Sequence, residues 1–403
     1  MVTAALAAVM RPRLAARFLA VGRQREDHSY GSHPLQVIEV VHGVVANEKQ
    51  TMRGKLIVFV HGGAWGSGRP WMYRIMVDRL CQLGYTVASL GYRVYPDADT
   101  RGQVDDLAAA MRWISANVGM LGFDTIPELY LAGHSSGAHI ALLFLIRRAK
   151  EVALEDEKSV ASDETKHEAG TSLEGDASVS GDGRDEGTQL KVEGFIGLAG
   201  VYDIHRHYLY ESWRGVHEIS PMKAANGGLL HELFDYSHPF LLGGKSRQPA
   251  KASSLAPSSL PPRSPDSEPP ATGSTVGGIA PDARVPQTID RGRSAEVHGE
   301  GGRWLGRLLP RCLLMHGMAD ATVPFAQTAA VAAALKALGV PTIVRFIPGG
   351  DHFGMVGQLM FEKESEVELA MSRFTTIAAA EEARRERTDT TASGTSPCPR
   401  PRL

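Results

Sequence analysis

Residues 129–141 read Leu-Tyr-Leu-Ala-Gly-His-Ser-Ser-Gly-Ala-His-Ile-Ala, and no other stretch constrains the fold as strongly. A short, continuously apolar run enters Gly-x-Ser-x-Gly, and an apolar helical pattern follows at once. Continuous apolarity suits a strand buried on both faces, which requires helices on both sides of the sheet. The turn between strand and helix must be sharp, and its neighbours must be small. Gly133 and Gly137 supply that room and leave the Ser135 hydroxyl at the carboxyl edge of the sheet.

Similar runs recur along the chain. They are Leu56–Val60, Thr86–Leu90, Leu129–Ala132, Phe195–Ala199, Cys312–Met315 and Thr342–Phe346, after a first β-branched run at Leu35–Val41. Helical patterns lie between them, at Asp105–Val118, Ala138–Ala149 and Phe325–Leu338. Strands alternating with helices predict an α/β architecture, a mostly parallel sheet covered on both faces. Ordered structure is expected from near Tyr30.

Two stretches break the alternation. Residues 151–188 are rich in Glu, Asp, Ser and Gly, and residues 243–302 in Pro, Ser, Gly and Arg. Neither can bury enough apolar surface to offset its ordering entropy, so both are expected to be disordered insertions in one domain spanning 28–380. The tail 381–403 and the basic segment 1–27 carry the same expectation. Five arginines and no acid precede Glu26. Two readings of residues 1–25 stand side by side: an organelle-targeting peptide, and a plain basic terminus. As a basic amphipathic helix, this segment would also be the route to a membrane surface, though its apolar face is modest.

No apolar run reaches the roughly 20 residues of a membrane helix. A formal net charge of −2 argues against nucleic acid as a partner. Cys81, Cys312 and Cys398 are far apart and lack CxxC pairing, which points away from disulfides or zinc and towards an intracellular, cytoplasmic setting.

A serine hydroxyl needs a base to become a nucleophile. Downstream, Asp320 follows the Cys312–Met315 run and His352 follows the Thr342–Phe346 run, so both stand at carboxyl ends of strands, as Ser135 does. The chain order Ser, acid, His suits a Ser135–His352–Asp320 triad. Upstream, Val58-Phe59-Val60 ends in His61-Gly62-Gly63-Ala64-Trp65. Its glycines let backbone N–H groups approach a developing oxyanion. Gly63, Ala64 and Ser136 are the expected donors, with Gly62 an adjacent member. His61 is read as a prop for that loop and Trp65 as core. Asp351 is read as a surface carboxylate, Asp203 as a loop cap, His134 as filler and His139 as a packed helical residue. His205, His207 and His217 lack the partners of a metal site. Tyr208, Tyr210 and Trp213 either line a pocket or pack a cap.

HGGAW at 61–65, Gly91-Tyr92-Arg93 with Pro96, GHSSGAHIA at 133–141, HGMADATVP at 316–324 and Gly350-Asp351-His352 together resemble the α/β-hydrolase superfamily. The likeness is to its hormone-sensitive-lipase-like and carboxylesterase branch. Within that branch the motifs are similar to those of prenylcysteine methylesterases and kynurenine formamidases, as is Gly197–Ile204 followed by Ser220-Pro221. The resemblance spans residues 28–375 apart from the insertions. It implies a cofactor-free hydrolase working through an acyl-enzyme on a small-molecule ester or amide, oxyanion donors in the HGGxW loop, and a small cap. Ala64 departs from the usual third loop glycine. A non-catalytic relative would be expected to lack a triad member or an oxyanion glycine; here Ser135, Asp320, His352, Gly62 and Gly63 are all present.

Overall fold

The computed structural model describes residues 12–43, 54–168, 190–243 and 305–376. Most of the insertion expected at 243–302, the later part of that at 151–188, and the tail 381–403 lie outside the described residues.

Eight strands form one sheet in the order β1-β2-β4-β3-β5-β6-β7-β8. They are β1 Glu26–Ser29, β2 Val37–Val41, β3 Lys55–Val60, β4 Thr86–Leu90, β5 Glu128–His134, β6 Val192–Leu198, β7 Arg311–Gly317 and β8 Thr342–Ile347. From β4 to β8 every neighbouring pair is parallel. β1 and β2 add an antiparallel edge against β4.

The side-chain period of two divides each central strand between two cores. Along β3, Leu56, Val58 and Val60 join one apolar cluster, while Ile57 and Phe59 join the other. Helices cover both clusters: α1 Pro12–Gln24, α2 Arg74–Gln82, α3 Thr100–Ala116 and α4 Ser136–Glu168 in the first half of the chain. In the second half come α5 Ile204–Trp213, α6 Met222–Ala225, α7 His238–Leu242, α8 Ala326–Ala337 and α9 Gly354–Phe361. Residues 366–376 form a further helix. Among the described residues no helix is long and apolar enough to cross a membrane.

Two boundaries differ from the expectation. Structure begins before Tyr30, with α1 and β1. Two arginines of this segment find acids: Arg17 pairs with Asp78 of α2, and Arg25 with Asp27 at 2.9 Å. Val21 is buried, and Phe18 meets Trp71 edge-on. Helix α4 also continues past Ala149 to Glu168, into the span expected as insertion.

Residues 204–243, which follow β6, lie across the carboxyl edge of the sheet. Tyr210 Oη of α5 donates to the Ala321 carbonyl at 2.8 Å. A Cβ placed on Gly66 would come within 2.8 Å of Pro221 Cγ. His139, near the start of α4, meets the Tyr236 carbonyl at 2.8 Å. The expected cap is therefore anchored to three of the loops or helices that surround Ser135.

Candidate active site

The sharp turn after β5 puts Ser135 at φ +55°, the left-handed region that costs an L-residue strain. Two contacts hold it there. The Ser135 N–H donates to the Leu198 carbonyl of β6 at 2.9 Å, and the Ser135 carbonyl accepts from Ala138 N–H at 3.1 Å. The turn exists only because Gly137 has no side chain, since a Cβ there would lie 2.2 Å from the Val60 carbonyl oxygen. The β3 end and the first turn of α4 thus pack backbone against backbone.

Three loops at the same sheet edge bring Ser135, His352 and Asp320 together. His352 Nε2 is 2.9 Å from Ser135 Oγ, and His352 Nδ1 is 2.7 Å from Asp320 Oδ2. All three residues are nearly buried, with Ser135 retaining 8% exposure. Asp320 is saturated with donors. Its Oδ1 accepts from the N–H groups of Thr322 and Val323, each at 2.8 Å. Its Oδ2 also receives His316 Nε2 at 3.0 Å. Burial alone would raise the Asp320 pKa, but hydrogen bonds from His316 and His352 outweigh it and hold the group well below the usual carboxylate range. A carboxylate with four donors is ionised, and it fixes the proton of His352 on Nδ1. The Nε2 lone pair is then left to accept from the Ser135 hydroxyl.

His316 is a further member of the site. Its Nε2 faces two acceptors, Asp320 Oδ2 and the Val323 carbonyl at 2.9 Å, so Nε2 carries the proton. Nδ1 accepts from Thr328 Oγ1 at 2.7 Å. It appears in the sequence as the His of His316-Gly317, but nothing there shows that its ring turns back to Asp320.

The loop after β3 leaves the ordinary backbone regions at three successive residues, Gly63 (φ +146°), Ala64 (φ +50°) and Trp65 (φ +61°). It runs close to Ser135: a Cβ on Gly62 would come within 3.0 Å of Ser135 Cβ. Among the described residues, none accepts from the N–H groups of Gly63, Ala64 or Ser136. Gly62 is a correction. Its N–H donates to Tyr73 Oη at 3.0 Å and so is taken out of the expected oxyanion set.

The other sequence candidates fall as follows. His61 Nδ1 lies 3.0 Å from the Gly62 carbonyl, and its ring stacks on Tyr92, so it braces the loop. Trp65 is buried, and its indole N–H donates to His139 Nδ1 at 3.2 Å. Asp203 caps α5 by accepting from Arg206 N–H, and Asp351 is exposed. His205 stacks on Phe234, His207 faces Glu211 and His217 faces Glu218, so they point to separate partners. Trp213 is 82% exposed, whereas Tyr210 is tied to Ala321. His134 is a correction of another kind, because it is no filler. Its Nε2 meets the His352 carbonyl at 3.0 Å and its Nδ1 meets Tyr73 Oη at 2.9 Å.

Similarity to known proteins runs in the same direction. The family described as BD-FAE matches residues 43–223, and the prolyl oligopeptidase family matches residues 303–371. Over 108 residues the chain is 33% identical to a probable isoprenylcysteine alpha-carbonyl methylesterase of Oryza sativa subsp. japonica, covering 27% of this chain and 25% of that protein. Over 121 residues it is 31% identical to the kynurenine formamidase of Drosophila melanogaster, covering 30% of this chain and 38% of that protein. The chain thus spans well under half the length of either relative. Esterase B from Lactobacillus Rhamnosis superposes with a TM-score of 0.56 at 18% identity, covering 93% of this chain and 95% of that one. The architecture is the α/β-hydrolase fold, and the sequence is carboxylesterase-like.

Proposed function

We propose that this carboxylesterase-like chain of the α/β-hydrolase fold is a serine hydrolase that cleaves a carboxylic ester through an acyl-enzyme. The observation that carries the reading is the unbroken chain from Ser135 Oγ to His352 Nε2, and from His352 Nδ1 to Asp320, at 2.9 and 2.7 Å. Ser135 is the nucleophile, His352 the general base and acid, and Asp320 the carboxylate that fixes the imidazole tautomer.

The steps follow from those proton positions. As Ser135 Oγ attacks the carbonyl carbon, its proton passes to His352 Nε2, and the imidazolium is stabilised by Asp320. Negative charge moves to the former carbonyl oxygen. The N–H groups of Gly63, Ala64 and Ser136 are the donors proposed to receive it, helped by the positive end of α4. Collapse expels the alcohol, which takes the proton from His352. Water, deprotonated by the same nitrogen, then releases the acid.

The rice relative is named for methyl ester hydrolysis of an isoprenylcysteine, which favours a small ester with a lipophilic acyl part. The fly relative is named for formamide hydrolysis, and the same machinery serves an arylformamide. Comparing kcat/KM on p-nitrophenyl butyrate, a prenylcysteine methyl ester and N-formylkynurenine tests these readings. Preference for the esters supports the first. Preference for the formamide replaces it with the second, and turnover of none together with no fluorophosphonate labelling leaves a binding protein.

A further inference from the structure

We infer that Tyr73 and His134 are positioning residues for the acyl transfer: they link the Gly62 N–H to the His352 carbonyl and so hold the oxyanion loop and the general base in one register about Ser135. The inference rests on the serine-hydrolase reading and adds to it two residues outside the triad.

The link has four members on four separate parts of the chain. Gly62 lies in the loop after β3, Tyr73 ends the short 3-10 turn Pro70–Tyr73, His134 is the last residue of β5, and His352 follows β8. Apart from Tyr73, each member directly precedes, or belongs to, a part of the proposed machinery. Gly62 is next to the Gly63 and Ala64 donors, and His134 is next to the nucleophile. The last of the three contacts is made by the backbone carbonyl of the general base itself.

The proton positions are determined, not chosen. The His352 carbonyl only accepts, so His134 Nε2, at 3.0 Å, must carry a proton. His134 Nδ1 is then a lone pair, and Tyr73 O–H donates to it at 2.9 Å. The Tyr73 oxygen is left as an acceptor, and it receives the Gly62 N–H at 3.0 Å. Every donor in the chain has one acceptor. His134 is 1% exposed and Tyr73 6%, so water does not compete for these groups. A neutral imidazole is what such a chain needs, and burial favours it. The ring of His134 also lies 5.1 Å from that of His352, so it limits the base sideways as well. A chain with fixed direction in a dry interior resists small displacements, and displacements of about 1 Å in a reacting group can cost about a hundredfold in rate.

The test measures kcat and KM on p-nitrophenyl butyrate for wild type, Tyr73→Phe, His134→Ala and the double variant, well below their melting temperatures. Tyr73→Phe removes one oxygen and keeps the ring. The expected result is a kcat lower by about tenfold to a hundredfold with KM within about twofold. The double variant should be no more than about threefold worse than the worse single, because both cuts break one chain. A Tyr73→Phe kcat within twofold of wild type overturns the inference, as does full multiplication of the two losses. Should a variant not fold, nitrogen-15 NMR of the wild type decides. A His134 protonated on Nε2 with bare Nδ1 supports the chain, and protonation on Nδ1 overturns it. A folded wild type that neither turns over ester nor labels with a fluorophosphonate overturns the hydrolase reading and the inference with it. An active wild type with an unaffected Tyr73→Phe overturns the inference alone.

Discussion

Replacing Asp320 by Asn should abolish most activity while leaving the fold standing, and the geometry says why. The carboxylate receives two backbone N–H groups on Oδ1 and two imidazole N–H groups on Oδ2. An amide can satisfy only one of these pairs. If its NH2 faces Thr322 and Val323, two backbone donors lose their acceptor, at about 1–3 kcal/mol each. If its NH2 faces the imidazoles, His316 still has the Val323 carbonyl at 2.9 Å, and only His352 must adjust. The second arrangement costs less, so the side chain adopts it. His352 then shifts its proton to Nε2, where it points at Ser135 Oγ and can no longer accept from it. A wrong tautomer of this kind costs about 10⁴ in kcat in Ser-His-Asp enzymes, or about 5.5 kcal/mol of barrier. The assay is kcat/KM on p-nitrophenyl acetate with thermal unfolding measured alongside. An Asp320→Asn variant that melts as wild type does and keeps more than a tenth of its activity would refute the tautomer argument.

Other consequences can be measured on the same protein. Gly137→Ala should cost at least about 3 kcal/mol, because the new Cβ would sit 2.2 Å from the Val60 oxygen in a backbone-to-backbone contact; an unchanged melting temperature contradicts this. Burial keeps His61 and His139 at pKa values of about 4 and His134 at about 3. Their folded pKa values lie below the unfolded value of about 6.5, so their contribution is complete above that pH and is lost as pH falls. Each should cost about 2 kcal/mol of stability by pH 5, and urea midpoints that match at pH 7.5 and pH 5 would count against it. Lys55→Met removes the half-buried ion pair with Glu128 and the bond to the Thr375 carbonyl at 3.2 Å, at the sheet edge away from Ser135. It should lower stability by about 1–3 kcal/mol and leave kcat within twofold; a fall in kcat at full folding would argue against that separation.

What the sequence made legible is what local pattern can carry. The parallel strands announce themselves because continuous apolarity has one economical explanation, and Ser135, Asp320 and His352 stand at strand ends in the required order. The β1 strand is Glu-Asp-His-Ser and has no apolar period, so only its pairing with β2 reveals it. Helix α1 looks like a loose basic terminus until Arg17 meets Asp78, a partner 61 residues away. Tyr73 and His316 are invisible for the same reason. A tyrosine near the end of Pro70-Trp71-Met72-Tyr73 carries no motif, and its place beside Gly62 and His134 is a product of tertiary folding. Gly62 enters the expected oxyanion set only as a neighbour of the donors, because sequence shows that a glycine permits close approach, but not which acceptor its N–H has already taken.

The central claim is that Ser135 is an activated nucleophile. Purified full-length protein should be incubated with a fluorophosphonate probe at neutral pH, digested, and mapped by mass spectrometry, with Ser135→Ala alongside. The account predicts one stoichiometric adduct on the peptide containing Ser135, parallel loss of esterase activity, and no adduct in the variant. Folded wild-type protein that takes up no probe, or takes it up equally after Ser135→Ala, would contradict it.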